Sequence, residues 1–112
     1  GFFERANAPP RYAAWFDEQT RIEGFERALL SFARSDALES YVKTYGSLGS
    51  QPKLLIWGAD DREIPRSQVE LLRRTLSHLR YEEIEGAGHG VSVERQSEVN
   101  RHLRTFMRTA AP

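Results

Sequence analysis

The chain of 112 residues is 39% apolar and 29% charged, a composition that suits one globular domain with a modest core. Its 16 basic residues balance 16 acidic ones, which argues against the electrostatic footprint of a nucleic-acid or anionic-membrane binder, and no apolar run reaches the length of a membrane span. Cysteine is absent and histidine occurs three times, so disulfides and thiolate chemistry are excluded and no metal or other cofactor is expected.

Residues 1–45 form the first segment, and their pattern predicts a small helical layer. One stripe of apolar residues shares a helical face: Ile22, Phe25, Leu29 and Phe32. Asp36 and Glu39 form a capping-box pattern that opens a further helix. The segment is rich in aromatic residues, which are usually core at helical spacing, although they would also suit an apolar substrate pocket. They are Phe2, Phe3, Tyr12, Trp15, Phe16, Phe25, Phe32, Tyr41 and Tyr45.

Residues 46–52 are turn-rich and predict a linker, after which residues 53–112 follow a strand, helix, strand, helix pattern. The run from Lys53 to Trp57 is continuously apolar after its lysine, as in a parallel strand covered on both faces. A crossover helix is predicted after Pro65. Its apolar positions recur at helical spacing: Val69, Leu72, Leu76 and Leu79.

The second strand is predicted from Arg80 to Glu85, and its glutamates favour an edge position, where charge discourages pairing with other chains. A final helix follows it. Four apolar residues of this helix are expected to face inward: Val99, Leu103, Phe106 and Met107. Three arginines lie on another face and are interpreted as a solvated surface: Arg101, Arg104 and Arg108. The fold class is therefore α/β, with a helical segment followed by a β-α-β-α unit of a parallel sheet.

One candidate catalytic residue follows each of the two strands. In an open parallel sheet, functional side chains gather in the loops beyond the carboxyl ends of the strands, so Asp61 and His89 are expected to be neighbours. A carboxylate that holds the Nδ1 hydrogen of an imidazole leaves Nε2 able to accept a proton from a nucleophile. Taken singly, the aspartates could merely solvate a loop and the glycines before His89 could merely form a turn.

The combination resembles the C-terminal end of an α/β-hydrolase-fold protein. The resemblance rests on PKLLIWGADDREIP at 52–65, GAGH at 86–89 and the glutamate at Glu94. It implies that Asp61 is the acid, because the family's acid precedes an Ile or Val and a Pro at this spacing, and that Asp60 is a neighbour or loop cap. It implies that His89 is the base. Gln96 departs from the family pattern, which has a proline there, and residues 1–45 resemble the family's helical cap more loosely.

The family pattern also requires a nucleophile, and no serine of this sequence lies in a G-x-S-x-G elbow. Ser92 follows the histidine directly and lacks a preceding strand, while Ser47 and Ser50 have the wrong glycine spacing. We therefore expect the nucleophile on an N-terminal segment or a companion chain that these residues do not include, and little activity without it. The two other histidines, His78 and His102, are expected to be surface or partly packed residues.

Two alternatives come from other classes. The chain could be a non-enzymatic interaction module, because two strands with an unpaired apolar edge invite a dimer, a swapped assembly or a companion chain. A phosphoacceptor receiver domain is suggested by the paired aspartates, but it requires further strands and a lysine, and no lysine follows Lys53. The expected partners are thus a small-molecule substrate, with an apolar one favoured by the aromatic residues, and either a missing hydrolase segment or a second copy.

Overall fold

A computed structural model of the chain describes residues 8–35 and 42–110, with the backbone alone at positions 42 and 43. The described residues divide into two units. One covers residues 9–35, and the other joins Ala8 to residues 42–110. The predicted boundaries of a helical segment at 1–45, a linker at 46–52 and a core at 53–112 stay a prediction. The expected capping box at Asp36 and Glu39 lies outside the described residues.

The unit at 9–35 consists of two helices, α1 (Tyr12–Thr20) and α2 (Phe25–Arg34). Gly24 precedes α2 with φ of 86°, a left-handed conformation that glycine adopts without steric cost. The ring of Phe16 contacts the ring of Phe25 edge to face, with centroids 6.4 Å apart.

The aromatic residues of this unit do not form the buried core that their spacing predicts. Neither α1 nor α2 buries a residue. Ile22 and Leu29 of the predicted stripe are each 56% exposed, and Trp15 is 54% exposed. The prediction that most of the aromatics are packed inside is therefore wrong for the described residues, because two short helices bury too little surface between them. Phe2, Phe3 and Tyr41 lie outside the described part.

The larger unit contains the remaining elements in the order α3 (Val42–Gly46), β1 (Lys53–Gly58), α4 (Arg66–Thr75), β2 (Leu79–Ile84), α5 (Val91–Glu94) and α6 (Gln96–Thr109). β1 and β2 pair in parallel, with a register that runs from Lys53 opposite Leu79 to Gly58 opposite Ile84. Parallel strands require a crossover, and α4 supplies it. The α/β class predicted from the sequence is confirmed at this level.

Helices contact both faces of the two-stranded sheet. On one face, Ile84 and Val99 of α6 form a buried cluster with Ala87. A fully buried aliphatic side chain contributes roughly 1.5–3 kcal/mol relative to an exposed one, so this cluster holds α6 against the sheet. On the opposite face, Arg66 of α4 lies over the ring of Trp57, 4.7 Å from its centroid. Helix contacts on both faces agree with the prediction for β1, but Leu54, Leu55 and Ile56 of this strand stay half-buried.

The crossover helix is shorter than the leucine spacing predicts. α4 ends at Thr75, and Leu76 is already extended, with ψ of 122°. A turn follows in which His78 has φ of 54°, after which Leu79 begins β2. Leu76 and Leu79 are thus not on the helix, and the second strand begins and ends one residue earlier than predicted.

The inward face of α6 also differs from the prediction. Val99 is buried and Phe106 is half-buried, as expected, but Leu103 is 41% exposed and Met107 is 70% exposed. His102 takes the inward position instead, because its Nδ1 lies 3.2 Å from a carboxylate oxygen of Glu82 on β2. A buried imidazole requires such a polar partner. The expectation that Leu103 and Met107 face inward is therefore wrong.

Candidate functional site

The loops after β1 and β2 meet at the carboxyl end of the sheet. The amide of Ala59 donates to the carbonyl of Ile84 at 2.9 Å, which extends the strand ladder by one bond. The amide of Asp60 then donates to the carbonyl of Ala87 at 3.0 Å. These backbone bonds fix the loop that carries Asp61 against the loop that carries His89.

Asp61 is held from both sides of its carboxylate. Its Oδ1 accepts hydrogen bonds from the amides of Glu63 at 2.7 Å and Ile64 at 3.0 Å, and its Oδ2 lies 3.0 Å from Nδ1 of His89. The Asp61 side chain is 4% exposed. A carboxylate with three hydrogen-bond partners and so little solvent exposure has a fixed orientation. An acid that orients a histidine requires such a fixed orientation.

Asp60 occupies a different position from its neighbour. Its Oδ2 accepts a hydrogen bond from the amide of Gly86 at 3.1 Å, so this side chain ties the two loops together and does not contact the imidazole. Asp60 thus caps the loop, which is one of the two roles that the resemblance implies for it.

His89 presents one ring nitrogen to Asp61 and the other to the surface. Its side chain is 47% exposed, and Nε2 lies 3.7 Å from Oε2 of Glu63. With the ring hydrogen on Nδ1 directed at Asp61, Nε2 carries the lone pair that accepts a proton. The sequence analysis did not identify Glu63 as a neighbour of His89. The available signal was its position two residues after Asp61.

The glycine loop before His89 is hydrogen-bonded to the junction between α5 and α6. Glu94 Oε1 accepts a hydrogen bond from the amide of Gly88 at 2.9 Å, and Arg95 donates to the carbonyl of Gly86 at 2.6 Å. Gly86 has φ of 64°, a left-handed conformation that a residue with a side chain rarely adopts. The sequence analysis identified Glu94 but missed Arg95. The hydrogen bond of Arg95 depends on the position of the Gly86 carbonyl in the folded loop, which the sequence does not indicate.

The other polar residues singled out by sequence lie apart from this pair. His78 is exposed in the turn before β2. His102 is buried on α6 between Glu82 and Arg101, which is more enclosed than the expected surface or partly packed role. The hydroxyl of Ser47 donates to the carbonyl of Thr44 at 2.6 Å.

No group of three or more histidine, aspartate and glutamate side chains in the described part of the chain could hold a metal ion. No helix there is long and apolar enough to cross a lipid bilayer.

Comparisons with family models, with curated proteins and with solved structures gave no match to this chain. The geometry of the two loops is therefore the observation from which a function can be argued.

Proposed function

We propose that this chain supplies the acid, Asp61, and the base, His89, of a hydrolase site of the α/β-hydrolase type. The observation that carries the proposal is the 3.0 Å contact between Asp61 Oδ2 and His89 Nδ1, made by a carboxylate that is 4% exposed and an imidazole that is 47% exposed. One nitrogen of the ring is thereby oriented while the other stays accessible. This is the arrangement that a nucleophile–histidine–acid site requires.

The nucleophile of this site would come from polypeptide outside these residues, and the reaction would proceed in two halves. The hydroxyl oxygen of the nucleophile attacks the acyl carbon of a small-molecule ester while its proton passes to Nε2 of His89. The imidazolium gives that proton to the leaving alkoxide, which departs as the alcohol. Water then gives a proton to Nε2 as it attacks the acyl-enzyme, and the nucleophile recovers that proton when the carboxylic acid leaves.

Asp61 contributes to both halves without exchanging a proton. Its charge stabilises the imidazolium that forms transiently, and its two backbone bonds hold it in place. The desolvated position strengthens this attraction relative to water.

The test is an aryl-ester assay of the polypeptide that contains these residues together with a nucleophile, on the same chain or a companion. His89→Ala should lower kcat by about four orders of magnitude or more, and Asp61→Asn should lower it by a similar or smaller factor. His78→Asn is the matched control, because His78 is exposed and asparagine tolerates its φ of 54°. Equal activity of His89→Ala and the parent protein would refute the proposal.

An interaction module is the second candidate, and it is favoured by surfaces that the described residues leave uncovered. The sheet has two strands, so each strand has one edge without a ladder partner in the described part. α1 and α2 bury no residue, and Leu30 and Phe32 of α2 are 53% and 51% exposed. We propose self-association or binding of a companion chain in this case. If the chain self-associates, sedimentation should show a dimer or larger species at micromolar concentration, and a monodisperse monomer would contradict self-association.

A further inference from the structure

Trp57 lies in β1 on the face opposite Ile56, and its indole reaches the loop that follows the strand. The side chain is buried, with 5% of the residue exposed, and its Nε1–H donates to the carbonyl of Ile64 at 3.2 Å. A buried indole N–H requires an acceptor, and this one finds it seven residues further along the chain.

Ile64 is bonded on both sides of its backbone. Its carbonyl accepts from Trp57, while its amide donates to Oδ1 of Asp61 at 3.0 Å. A single residue therefore separates the indole from the carboxylate that faces His89. Movement of Ile64 away from Trp57 would also carry an amide donor away from Asp61.

The indole itself is held by charged groups of α4 and β2. The Arg66 guanidinium lies over the ring, and the same guanidinium makes two hydrogen bonds to the Glu83 carboxylate, at 3.0 and 2.6 Å. Tyr81 donates a third hydrogen bond to Glu83 at 2.7 Å. Stacking of this kind is geometrically specific for arginine, so the ring has a defined position.

We propose that Trp57 is a positioning residue for the Asp61–His89 pair and acts through the backbone of Ile64. The geometric claim stands on the hydrogen bonds of this loop, and its value for catalysis rests on the proposed function. The two are tested by different measurements, because the geometry of the pair is observable in the chain without any substrate.

The experiment is amide and imidazole hydrogen exchange by NMR in the 112-residue chain, comparing Trp57→Phe with the parent. Phenylalanine keeps an aromatic ring beneath Arg66 but removes the N–H donor. Exchange of the Glu63 and Ile64 amides and of the His89 ring hydrogen should accelerate roughly fivefold, as expected for loss of one hydrogen bond. The amide of Leu55 in the sheet should exchange at its parent rate.

Trp15→Phe is the matched control, because Trp15 is 54% exposed and lies in the other unit. It should leave all these exchange rates unchanged. Parent rates at Glu63, Ile64 and His89 in a folded Trp57→Phe variant would overturn the proposal.

A reciprocal measurement covers the case in which Trp57→Phe does not fold. In Asp61→Asn, the hydrogen bond from the Ile64 amide to residue 61 is weaker, so exchange of the Trp57 indole N–H should accelerate by a similar factor. The Trp15 indole serves as an internal reference. An unchanged Trp57 indole in this variant would equally overturn the coupling. Neither result depends on whether the polypeptide hydrolyses an ester, so failure of the proposed function would be seen separately in the ester assay.

Discussion

Gly58 and Ala87 lie in such close backbone contact that no side chain fits between them. A Cβ atom added to Gly58 would lie 2.8 Å from the carbonyl carbon of Ala87 and closer still to the carbonyl oxygens of Ala87 and Gly88. The last residue of β1 therefore has to be glycine for the two loops to meet. This approach is what lets Ala87 accept the amide of Asp60.

Gly58→Ala should therefore separate the loops. We expect a loss of about 2–4 kcal/mol in the free energy of unfolding, because the clash is with backbone that cannot rotate away. Urea denaturation followed by tryptophan fluorescence measures it. Gly46→Ala is the control, since a Cβ there meets nothing within 4 Å, and it should be neutral or slightly stabilising. Equal stabilities of the two variants would contradict the close approach.

The side chain of Glu94 should matter as the acceptor of the Gly88 amide. Glu94→Gln keeps a side-chain oxygen for that amide and should cost less than removal of the acceptor. Glu94→Leu leaves that partly buried amide without its acceptor and should lower the free energy of unfolding by about 1–2 kcal/mol. Thermal or urea unfolding of the two variants distinguishes these outcomes. Equal losses in both would show that the Gly88 bond is not the source of the effect.

The parts of the fold that depend on local pattern could be predicted from the sequence. A short apolar run between Pro52 and Gly58 predicts β1, and parallel strands bring Asp61 and His89 to one edge, where the structure has them in contact. These results follow from rules that act over a few residues or over one pair of strands. The choice of Asp61 over Asp60 comes instead from the resemblance, through the spacing of Asp61 to Ile64 and Pro65.

What could not be predicted depends on partners that are distant in the sequence. His102 displaces Leu103 from the inward face of α6 because Glu82, on a separate strand, faces it. α4 ends before Leu76 because the chain must turn there to begin β2 in register with β1. The approach of Glu63 to His89 likewise depends on how the loop after β1 folds back. Helical spacing contains no information on these contacts.

Two valines test which face of the C-terminal helices is packed. Val99 is 7% exposed in the cluster with Ile84, whereas Val93 of α5 is 50% exposed. Val99→Ala should cost about 1–2 kcal/mol through lost burial and the cavity that remains. Val93→Ala should stay within about 0.5 kcal/mol of the parent. Urea unfolding measures both, and the reverse order would show that α6 packs differently.

Glu83 should make stability depend on pH on the acid side. The hydrogen bonds from Arg66 and Tyr81 lower the pKa of Glu83 from 4.5 to about 2. A lowered folded pKa means that its contribution is complete above 4.5 and is lost as pH falls toward 2. Glu83→Gln should be about 1 kcal/mol less stable than the parent at pH 7, on the order of a partly exposed ion pair, and this difference should shrink as pH falls through that range.

Glu85→Gln is the control for this loss of stability at acid pH, because Glu85 is exposed beyond the end of β2. The free energy of unfolding of the three proteins, measured in urea at several pH values, is the comparison. A gap between parent and Glu83→Gln that stays constant down to pH 2 would contradict the assignment of Glu83 to the Arg66 pair.

Tyr81 should limit stability on the alkaline side. Burial, followed by its hydrogen bond to Glu83, raises the pKa of Tyr81 from 10.0 to about 12. Above pH 10 the unfolded chain loses the phenol proton while the folded chain keeps it, so unfolding becomes easier until the folded pKa is passed. Parent protein should therefore lose stability relative to Tyr81→Phe between pH 10 and 12, although the bond to Glu83 favours the parent at neutral pH. Urea unfolding between pH 10 and 12 measures how the difference in free energy of unfolding between the parent and Tyr81→Phe changes with pH. Tyr45→Phe, at a half-exposed tyrosine, is the control. Parallel pH profiles for the parent and Tyr81→Phe would contradict the raised pKa of Tyr81.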